Sequence, residues 1–466
     1  MRNLINTFRN TLEKFSHFSE RASKYLIAAV LIVVPLLPKF PLVSVTGTYV
    51  AIRFEDLVVL LLVILLIPKI ILDFKKVIRD PIVIAVLIFL GVGLFSLAQA
   101  VLVTKTVQLS LGILHWARRI EYMTPFFAAY FLIPKDKLHE YLDFFLKILL
   151  IDVFLAFIYG VGEHYLHFPV IITQNDEYSK GIALFWIPGS NTNSTFAGQY
   201  DLAGFMIMTI PIFLSMYFIL KEKLIKLITI IVSGTGLWLL INSVSRIAQI
   251  SYVLAVSVSL LLLRKFKGLA VVLLISILFM VSSGGLETRF KSAVNVIYQR
   301  ISVSKTVSYV QGHFIALAES TASPSPTPTI SSIINDVSIA IRLNVEWPRA
   351  ARAIIKNPLL GTGYSSIGLA TDNDYLRMLG ETGILGTLAF ALIFFRIGQI
   401  IAEAFPFRSK FTGLELAFIV GIIGASLGTF IMATFIDLFE ASKFATIFWL
   451  LLGCAVSVVK SKEYAK

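Results

Sequence analysis

The chain has 466 residues, of which 57% are apolar and 15% are charged, and its mean hydropathy is +0.83. About 45 to 50% of the residues of a soluble globular protein are apolar, so the composition excludes a soluble fold and predicts an all-α polytopic membrane protein. The formal net charge of +13 does not indicate a nucleic-acid partner, because the basic residues lie mostly in short segments between apolar runs.

Apolar runs of about 20 residues, the length that crosses a bilayer as a helix, recur along the whole chain. The first run follows a basic N-terminal segment without a small-residue cleavage site, which predicts a retained helix rather than a removed signal peptide. We therefore expect about 12 transmembrane helices in a single integral membrane domain, residues 1–466. The predicted spans are 25–43, 57–73, 81–103, 111–133, 143–162, 201–220, 224–242, 247–263, 268–283, 383–402, 412–435 and 443–459.

Lysine and arginine are concentrated in every second loop between the predicted spans. Because basic loops stay in the cytoplasm, this bias predicts that both termini are cytoplasmic and that the number of crossings is even. The protein is thus expected to be a multi-pass protein of the cytoplasmic (inner) membrane. Two long hydrophilic segments, about 163–200 and 284–382, would then lie outside the cytoplasm.

The second hydrophilic segment, residues 284–382, is predicted to be a large extracytoplasmic loop inserted between the ninth and tenth spans. In its first part, apolar residues recur at near-helical spacing beside basic residues, which predicts an amphipathic helix on the membrane surface. Residues 320–332, STASPSPTPTISS, contain too few apolar side chains to pack and are predicted to form a flexible linker.

The stretch from Arg342 to Gly386 is the polar centre of this apolar chain. It reads as two helices on either side of a loop that glycine and proline interrupt. Asp372 is predicted as the N-cap of the second helix, in which the helical apolar pattern restarts at Leu376. The glycine and proline residues of the loop are Pro358, Gly361, Gly363 and Gly368.

Polar residues on each side of this loop share a helical face. These faces carry Arg342, Glu346 and Arg349 before the loop, and Asn373, Arg377 and Glu381 after it. One interpretation is that each arginine forms an ion pair with the glutamate four residues later, worth a few tenths of a kcal/mol. The other is that the arginines bind an anionic group, such as phosphate oxygens, while a carboxylate accepts a proton.

Ionisable residues inside membrane spans are costly and usually mark a site. Several interrupt the predicted spans, and each also has a structural explanation. Arg118 and Glu121 could pair on one face of the fourth span, and Asp201 could cap the sixth. Arg246 lies at the outer start of the eighth span, where snorkelling is the alternative to a functional role. The others are Arg119 and Asp152.

Neither a metal site nor a cofactor is predicted. The six histidines lack the helical spacing of a zinc motif, and the single cysteine, Cys454, lies in an apolar run. GTGYSSIG, residues 361–368, lacks the lysine and the preceding strand of a phosphate-binding loop or dinucleotide fold.

The polar centre resembles the characteristic block of the O-antigen ligase and O-antigen polymerase superfamily of bacterial membrane glycosyltransferases. The matching residues are an arginine, a tryptophan, NPLLGTGYSSIG at 357–368, and TDNDYLRMLGETGILG at 371–386. STFAGQYDLAGFMIMTIPIF at 194–213 and NSVSRIAQ at 242–249 are similar to two further signatures of the family, in the same order.

This resemblance implies about twelve helices, a large outer loop, and metal-independent transfer of glycan from an undecaprenyl-diphosphate carrier. The implied partners are the carrier-linked glycan, an acceptor glycan or glycolipid, and the lipid bilayer. The enzyme would act as an O-antigen or surface-polysaccharide polymerase or ligase on the outer face of the membrane.

The resemblance also implies residue roles. Arg246 and Arg342 match the arginines that hold the diphosphate, and we add Arg377 as a third candidate. Asn373 matches the polar residue beside the catalytic position. We hypothesise that Asp372 or Glu381 activates the acceptor hydroxyl and that displacement inverts the anomeric centre.

The sequence departs from the ligase pattern at two places. Asp372 stands where ligases carry a histidine, and Asn191, Thr192 and Asn193 occupy a region in which an arginine is common. A carboxylate can still act as a base or orient an acceptor hydroxyl. The first difference therefore favours a polymerase, or a related glycan transfer, over a ligase.

Two other classes of protein stay open. A lipid-linked-oligosaccharide flippase or other transporter would also have about twelve spans and buried arginines, but transporters tend to contain paired repeats and none is visible here. A non-catalytic assembly scaffold is the third reading, because Asp372 replaces the expected histidine.

Overall fold

Long apolar helices make up most of the computed structural model, which describes residues 2–39, 41–44, 51–171, 184–187, 190–282, 341–368 and 370–463. The helices are α1 (Arg2–Leu36), α2 (Phe54–Leu72), α3 (Phe74–Val77), α4 (Pro81–Leu102), α5 (Leu109–Leu132), α6 (Leu138–Tyr165), α7 (Gln199–Ile219), α8 (Lys223–Asn242), α9 (Arg246–Leu262), α10 (Phe266–Ser282), α11 (Trp347–Lys356), α12 (Asp374–Glu403), α13 (Phe407–Lys410), α14 (Gly413–Met432) and α15 (Ser442–Glu463). A 3₁₀ turn, Lys135–Lys137, precedes α6, and a π-helical turn, Arg342–Glu346, precedes α11.

Each predicted span falls on one of these helices. Among the described residues, seven helical segments are long and apolar enough to cross a membrane. They are α4, α7, α8, α12, α14, α15 and the segment Lys135–Tyr165 that includes α6. The helices α9 and α10 are apolar but shorter, while α1, α2 and α5 carry charged residues in or beside their apolar runs. The described chain is therefore an all-α multi-pass membrane protein, and the number of twelve crossings stays a prediction.

The first predicted span, 25–43, ends in the wrong place. The helix stops at Leu36, and a strand, β1 (Pro41–Ser44), pairs with β2 (Ala51–Arg53) in antiparallel register. Pro38 and Pro41 explain the difference, because proline lacks the backbone N–H that a continuing helix needs. A second antiparallel pair joins β3 (Pro169–Val170) to β4 (Leu184–Phe185).

Small residues allow α14 to approach both α7 and α9 closely. A Cβ atom added at Gly421 would lie 2.5 Å from the Cα of Ile212, and one at Gly428 would lie 3.0 Å from the carbonyl oxygen of Ser251. The Ser259 hydroxyl donates a hydrogen bond to the Val420 carbonyl at 3.3 Å. Such contacts are typical of helix packing in membranes. Their order along the helices shows that α14 runs antiparallel to α7 and α9.

The helix directions gather several termini at one end of the bundle. The α5 and α15 helices run parallel, since the Ser457 hydroxyl donates to the Ala129 carbonyl and Gly453 packs on Phe126. At the start of α12, the backbone N–H of Asp374 donates to the Ala433 carbonyl just beyond α14. The polar stretch that begins at Arg342 therefore lies at the end where α7, α9, α12 and α15 begin.

The long hydrophilic loop is described only in its last part. The predicted amphipathic helix and the predicted linker, residues 320–332, lie outside the described residues. From residue 341 onward, the chain forms the π-helical turn, α11 and a loop that leads into α12.

That loop is fixed by a kink in α12. Gly383 has φ +67° and ψ −170°, which interrupts the helical hydrogen bonds. The carbonyl groups of Gly380 and Glu381 accept hydrogen bonds from the backbone N–H groups of Thr362 and Gly363, at 2.9 and 2.8 Å. Backbone polar groups freed by a kink need such partners inside a membrane protein.

Replacement of Gly383 by alanine is expected to destabilise the protein strongly. A left-handed conformation costs about 1 to 2 kcal/mol for a residue with a Cβ atom, and this atom would lie 2.3 Å from the Leu359 carbonyl oxygen. The thermal unfolding midpoint of purified protein in detergent would measure the loss. Gly398→Ala is the control on the same helix, because no described atom beyond its own helical backbone and chain neighbours lies within 4 Å of its added Cβ. Equal midpoints for the two variants would contradict the close packing of Gly383 against Leu359.

Candidate active site

A buried ion pair lies at the centre of the polar end of the bundle. Arg342, in the π-helical turn before α11, is 8% exposed. Its Nη2 atom donates to Asp372 Oδ2 at 2.6 Å and to the Tyr200 hydroxyl at 3.3 Å. The pair therefore joins three separate segments of the chain: the start of α7, the turn before α11 and the loop before α12.

Asp372 does not cap α12, so that prediction was wrong. Asn373 is the N-cap, since its Oδ1 atom accepts from the Leu376 N–H at 2.9 Å. Its Nδ2 atom donates to the Thr434 carbonyl at 2.9 Å, so both ends of the amide are used within the fold. Asp372 has φ +47°, a left-handed conformation that aspartate tolerates better than most residues. Because Asp372 does not cap the helix, its carboxylate is directed to Arg342.

The segment that contains Asp372 is held by a carboxylate that the sequence analysis did not single out. Asp437 lies between α14 and α15 and accepts backbone hydrogen bonds from Thr371 at 2.7 Å and Asn373 at 2.9 Å. It also accepts a hydrogen bond from Arg377 Nη1 at 2.8 Å. Asp437 thus binds the residues on both sides of Asp372 and fixes the position of that carboxylate.

Arg377 is enclosed by carboxylates. Besides Asp437, Glu381 Oε1 lies 3.4 Å and Glu440 Oε1 lies 3.7 Å from its Nε atom. The predicted helical pair Arg377–Glu381 is therefore present. Glu381 is 3% exposed and also accepts a hydrogen bond from the Ser365 N–H at 3.2 Å. Arg377 and Glu381 are thus both engaged with other parts of the protein.

A further charged residue extends this network into α5. Arg119 forms an ion pair with Glu440 and donates to the Phe439 carbonyl at 3.3 Å. The carboxylate of Asp374 accepts the backbone N–H groups of Leu438 at 2.7 Å and Phe439 at 3.2 Å. The segment between α14 and α15 is therefore bonded to both α5 and α12.

The structure also gives the positions of Arg246, Asp201 and Arg118. Arg246 is half-buried and begins α9, and the antiparallel packing of α9 on α14 puts it at the same end of the bundle as Asp372. Asp201 was predicted as a possible N-cap of α7, but the N-cap is Gly198. Asp201 accepts a hydrogen bond from Lys39 Nζ at 3.1 Å instead. Arg118 donates to the Tyr122 hydroxyl at 3.4 Å and to the Ala51 carbonyl at 3.2 Å.

Two carboxyl groups outside the helical spans have raised pKa values. Burial raises the pKa of Asp372, and the positive charge of Arg342 opposes this rise. Burial also raises the pKa of Glu346 to about 7, with a further contribution from the negative charge of Asp372. A raised pKa keeps a carboxylate basic enough to accept a proton near neutral pH.

Residues 231–391 match the family model described as O-antigen ligase. This region of the chain is similar to O-antigen ligases. This match confirms the resemblance to the O-antigen ligase and polymerase superfamily and identifies a polysaccharide-related membrane enzyme. The matched residues include Arg246, Arg342, Asp372, Arg377 and Glu381. A comparison with curated proteins finds no match for the chain.

Removal of the Asp437 carboxylate is expected to unfold the polar end of the bundle at lower temperature. Loss of one partner from a buried ion pair typically costs roughly 3 to 5 kcal/mol, and Asp437→Ala also removes the acceptor for two backbone N–H groups. The thermal midpoint in detergent should fall well below that of the wild type. The control is Glu13→Gln, because the Arg9–Glu13 pair is exposed and such pairs contribute at most about 1 kcal/mol. A midpoint for Asp437→Ala as high as that of the control would disprove the role of Asp437.

Proposed function

We propose that the protein is a membrane glycosyltransferase that moves a glycan from an undecaprenyl-diphosphate donor to an acceptor hydroxyl on the outer face of the cytoplasmic membrane. The main support is the buried ion pair of Arg342 and Asp372 within the region that is similar to O-antigen ligases. An arginine and a carboxylate side by side can serve the two partners of such a transfer. The arginine attracts the anionic leaving group, and the carboxylate binds the hydroxyl that attacks.

On the donor side, we assign the diphosphate to Arg246 and Arg342. The guanidinium group matches phosphate oxygens with paired N–H donors and stays charged at any physiological pH. Tyr200 and Asp372 hold Arg342 in place, so little side-chain entropy is lost when the diphosphate binds. Arg377 is surrounded by three carboxylates, and its contacts favour a role in fixing the loop over direct binding of the donor.

On the acceptor side, we assign Asp372. Of the two predicted catalytic carboxylates, it lies next to Arg342, whereas Glu381 is turned towards Arg377 and the Ser365 N–H. Asn373 keeps Asp372 in register because it caps α12. The predicted roles of Asp372 and Asn373 are thus complementary, one binding the hydroxyl and the other setting the geometry of the loop.

The proposed reaction is a direct displacement. The acceptor hydroxyl loses its proton to a carboxylate, and its oxygen forms a bond to the anomeric carbon of the donor. The bond from that carbon to the diphosphate breaks, and the electron pair leaves on the diphosphate oxygen. Arg246 and Arg342 neutralise the charge that develops there, so the proposal needs no metal ion. A single displacement inverts the anomeric centre.

The acceptor is proposed to be another carrier-linked glycan, as in a polymerase, or a glycolipid, as in a ligase. The aspartate at position 372 supports the polymerase over the ligase, because ligases of this superfamily typically carry a histidine there. The polyprenyl chain of the carrier would lie in the bilayer beside the apolar helices, while its diphosphate reaches the polar end of the bundle.

Replacement of Arg342 by alanine is expected to abolish glycan transfer while the protein remains abundant in the membrane. Loss of one group that stabilises developing charge typically lowers the rate about 100- to 1,000-fold. The assay incubates purified protein with carrier-linked glycan and measures release of undecaprenyl diphosphate and growth of the glycan.

Arg352→Ala is the matched control for this variant. Arg352 lies on α11 close to Arg342 in sequence, and it is exposed. Its replacement should leave the transfer rate unchanged. Near-normal product from Arg342→Ala would refute the proposed function, as would a wild-type protein that releases no carrier diphosphate.

A further inference from the structure

A second carboxylate, that of Glu346, interacts electrostatically with the ion pair of Arg342 and Asp372. Glu346 is the last residue of the π-helical turn that begins at Arg342, and it is partly buried. Single π-helical turns are frequent at functional sites in α-helices. The sequence pattern predicts Glu346 on one helical face with Arg342, but Glu346 is not one of the candidate site residues that it indicates.

The charged groups that act on Glu346 come from three segments of the chain. Arg342 and Arg349 belong to its own helical segment, Asp372 to the loop before α12, and Asp437 to the segment before α15. Arg342 donates its short hydrogen bond, 2.6 Å, to Asp372. Glu346 is therefore a carboxylate next to a second carboxylate that already has a close cationic partner.

One oxygen of Glu346 lacks a donor within the described part of the chain. Its Oε2 atom is buried and accepts no hydrogen bond from any described residue. A buried carboxylate oxygen without a donor is costly, because it loses its hydration and gains nothing in return. A ligand hydroxyl that donates to this oxygen would remove that cost.

Two other polar groups, on residues next in sequence to Glu346 and Asp372, are in the same condition. The indole Nε1 of Trp347 and the hydroxyl of Thr371 are buried and have no hydrogen-bond partner among the described residues. Trp347 follows Glu346 in sequence, and Thr371 precedes Asp372. Buried polar groups in native proteins are nearly always satisfied, so these three atoms are candidates for a bound partner. A sugar could supply such partners, because each of its hydroxyl groups can both donate and accept.

We propose that Glu346 is a catalytic residue that accepts the proton of the acceptor hydroxyl, while Asp372 orients that hydroxyl towards the donor. This assignment rests on the proposed glycan transfer. The O–H bond of the acceptor breaks, and its proton passes to Glu346. The oxygen then bonds to the anomeric carbon as the diphosphate leaves with its electron pair, and the proton is later released to water.

The electrostatic surroundings agree with this division between the two carboxylates. Burial and the negative charge of Asp372 raise the pKa of Glu346 to about 7. The pKa of Asp372 is raised by burial as well, but Arg342 favours its ionised form. When the environments of two acids differ in this way, the one that accepts a proton more readily serves as the base.

The test compares Glu346→Gln with the wild type in the transfer assay between pH 5 and pH 9. The wild-type rate should increase as the pH rises through about 7, because only the ionised glutamate accepts a proton. Glu346→Gln should be at least ~100-fold slower and should lose this increase, since general bases contribute about 100- to 10,000-fold. It should still bind undecaprenyl diphosphate, offered in detergent micelles, as tightly as the wild type.

Two further variants distinguish a catalytic role of Glu346 from a structural one. Glu346→Asp keeps a carboxylate and should recover part of the rate and the dependence on pH, which a purely structural role would not predict. Glu403→Gln, an exposed carboxylate at the end of α12, should match the wild type throughout. If Glu346→Gln does not fold, Glu346→Asp decides the question through its pH profile.

The outcomes distinguish a failure of the role assigned to Glu346 from a failure of the proposed glycan transfer. Near-wild-type transfer by Glu346→Gln, or an unchanged pH profile, overturns the role of Glu346 alone, provided that Arg342→Ala is inactive in the same assay. A wild-type protein that neither binds undecaprenyl diphosphate nor transfers glycan overturns the proposed function, and the assignment of Glu346 falls with it.

Discussion

The contact of Asp437 with Arg377 is the interaction on which the polar end of the bundle depends. Arg377 is 8% exposed, and a guanidinium group in such surroundings needs anionic partners, which Asp437, Glu381 and Glu440 supply. The same Asp437 carboxylate accepts the backbone N–H groups on both sides of Asp372. One acidic side chain therefore neutralises a buried cation and also shapes the loop. The position of Asp372 opposite Arg342 follows from this double role, because a free loop would let the aspartate turn towards water.

The kink at Gly383 provides partners for buried backbone groups. The contacts of Arg377 with carboxylates do the same for a buried side-chain charge. A loop pressed against apolar helices carries N–H and carbonyl groups that cannot reach water. The kink leaves carbonyl groups on α12 without helical partners, and the N–H groups of Thr362 and Gly363 bind them. In return, the Pro358 carbonyl accepts from the Ile384 N–H at 2.9 Å. The glycine-containing loop is thus built into the first turns of α12, and this bonding makes the region a rigid support for the ion pair.

The sequence predicted the structural features that depend on the local pattern of residues. Apolar runs located every long helix, and the spacing of Arg377 and Glu381 indicated their ion pair correctly. The sequence could not predict features that depend on residues far apart along the chain. Asp372 and Asn373 are both good N-cap residues, and the choice between them is made by Asp437, 64 residues after Asn373. Asp437 itself lies in a short polar interval between two spans, where nothing local marks it. The pairing of Arg119 with Glu440 likewise joins residues that are 321 positions apart.

The hydrogen bonds at the polar end of the bundle help to distinguish residues that hold the fold in place from residues proposed to act on the substrate. Arg377, Glu381, Asn373 and Asp437 have partners within the protein, so their roles are to hold the loop and the helix ends. Glu346, Trp347 and Thr371 each retain a buried polar atom without a hydrogen-bond partner in the described structure, as does Nε of Arg377, which instead lies near the carboxylates of Glu381 and Glu440. The matched residues, 231–391, include all of these residues except Asp437, and they end before Glu440 as well. Asp437 and Glu440, outside the matched region, therefore help to fix the geometry of residues inside it. In the proposed function, the groups that bind the sugar lie within the matched region, and contacts from the rest of the chain hold them in position.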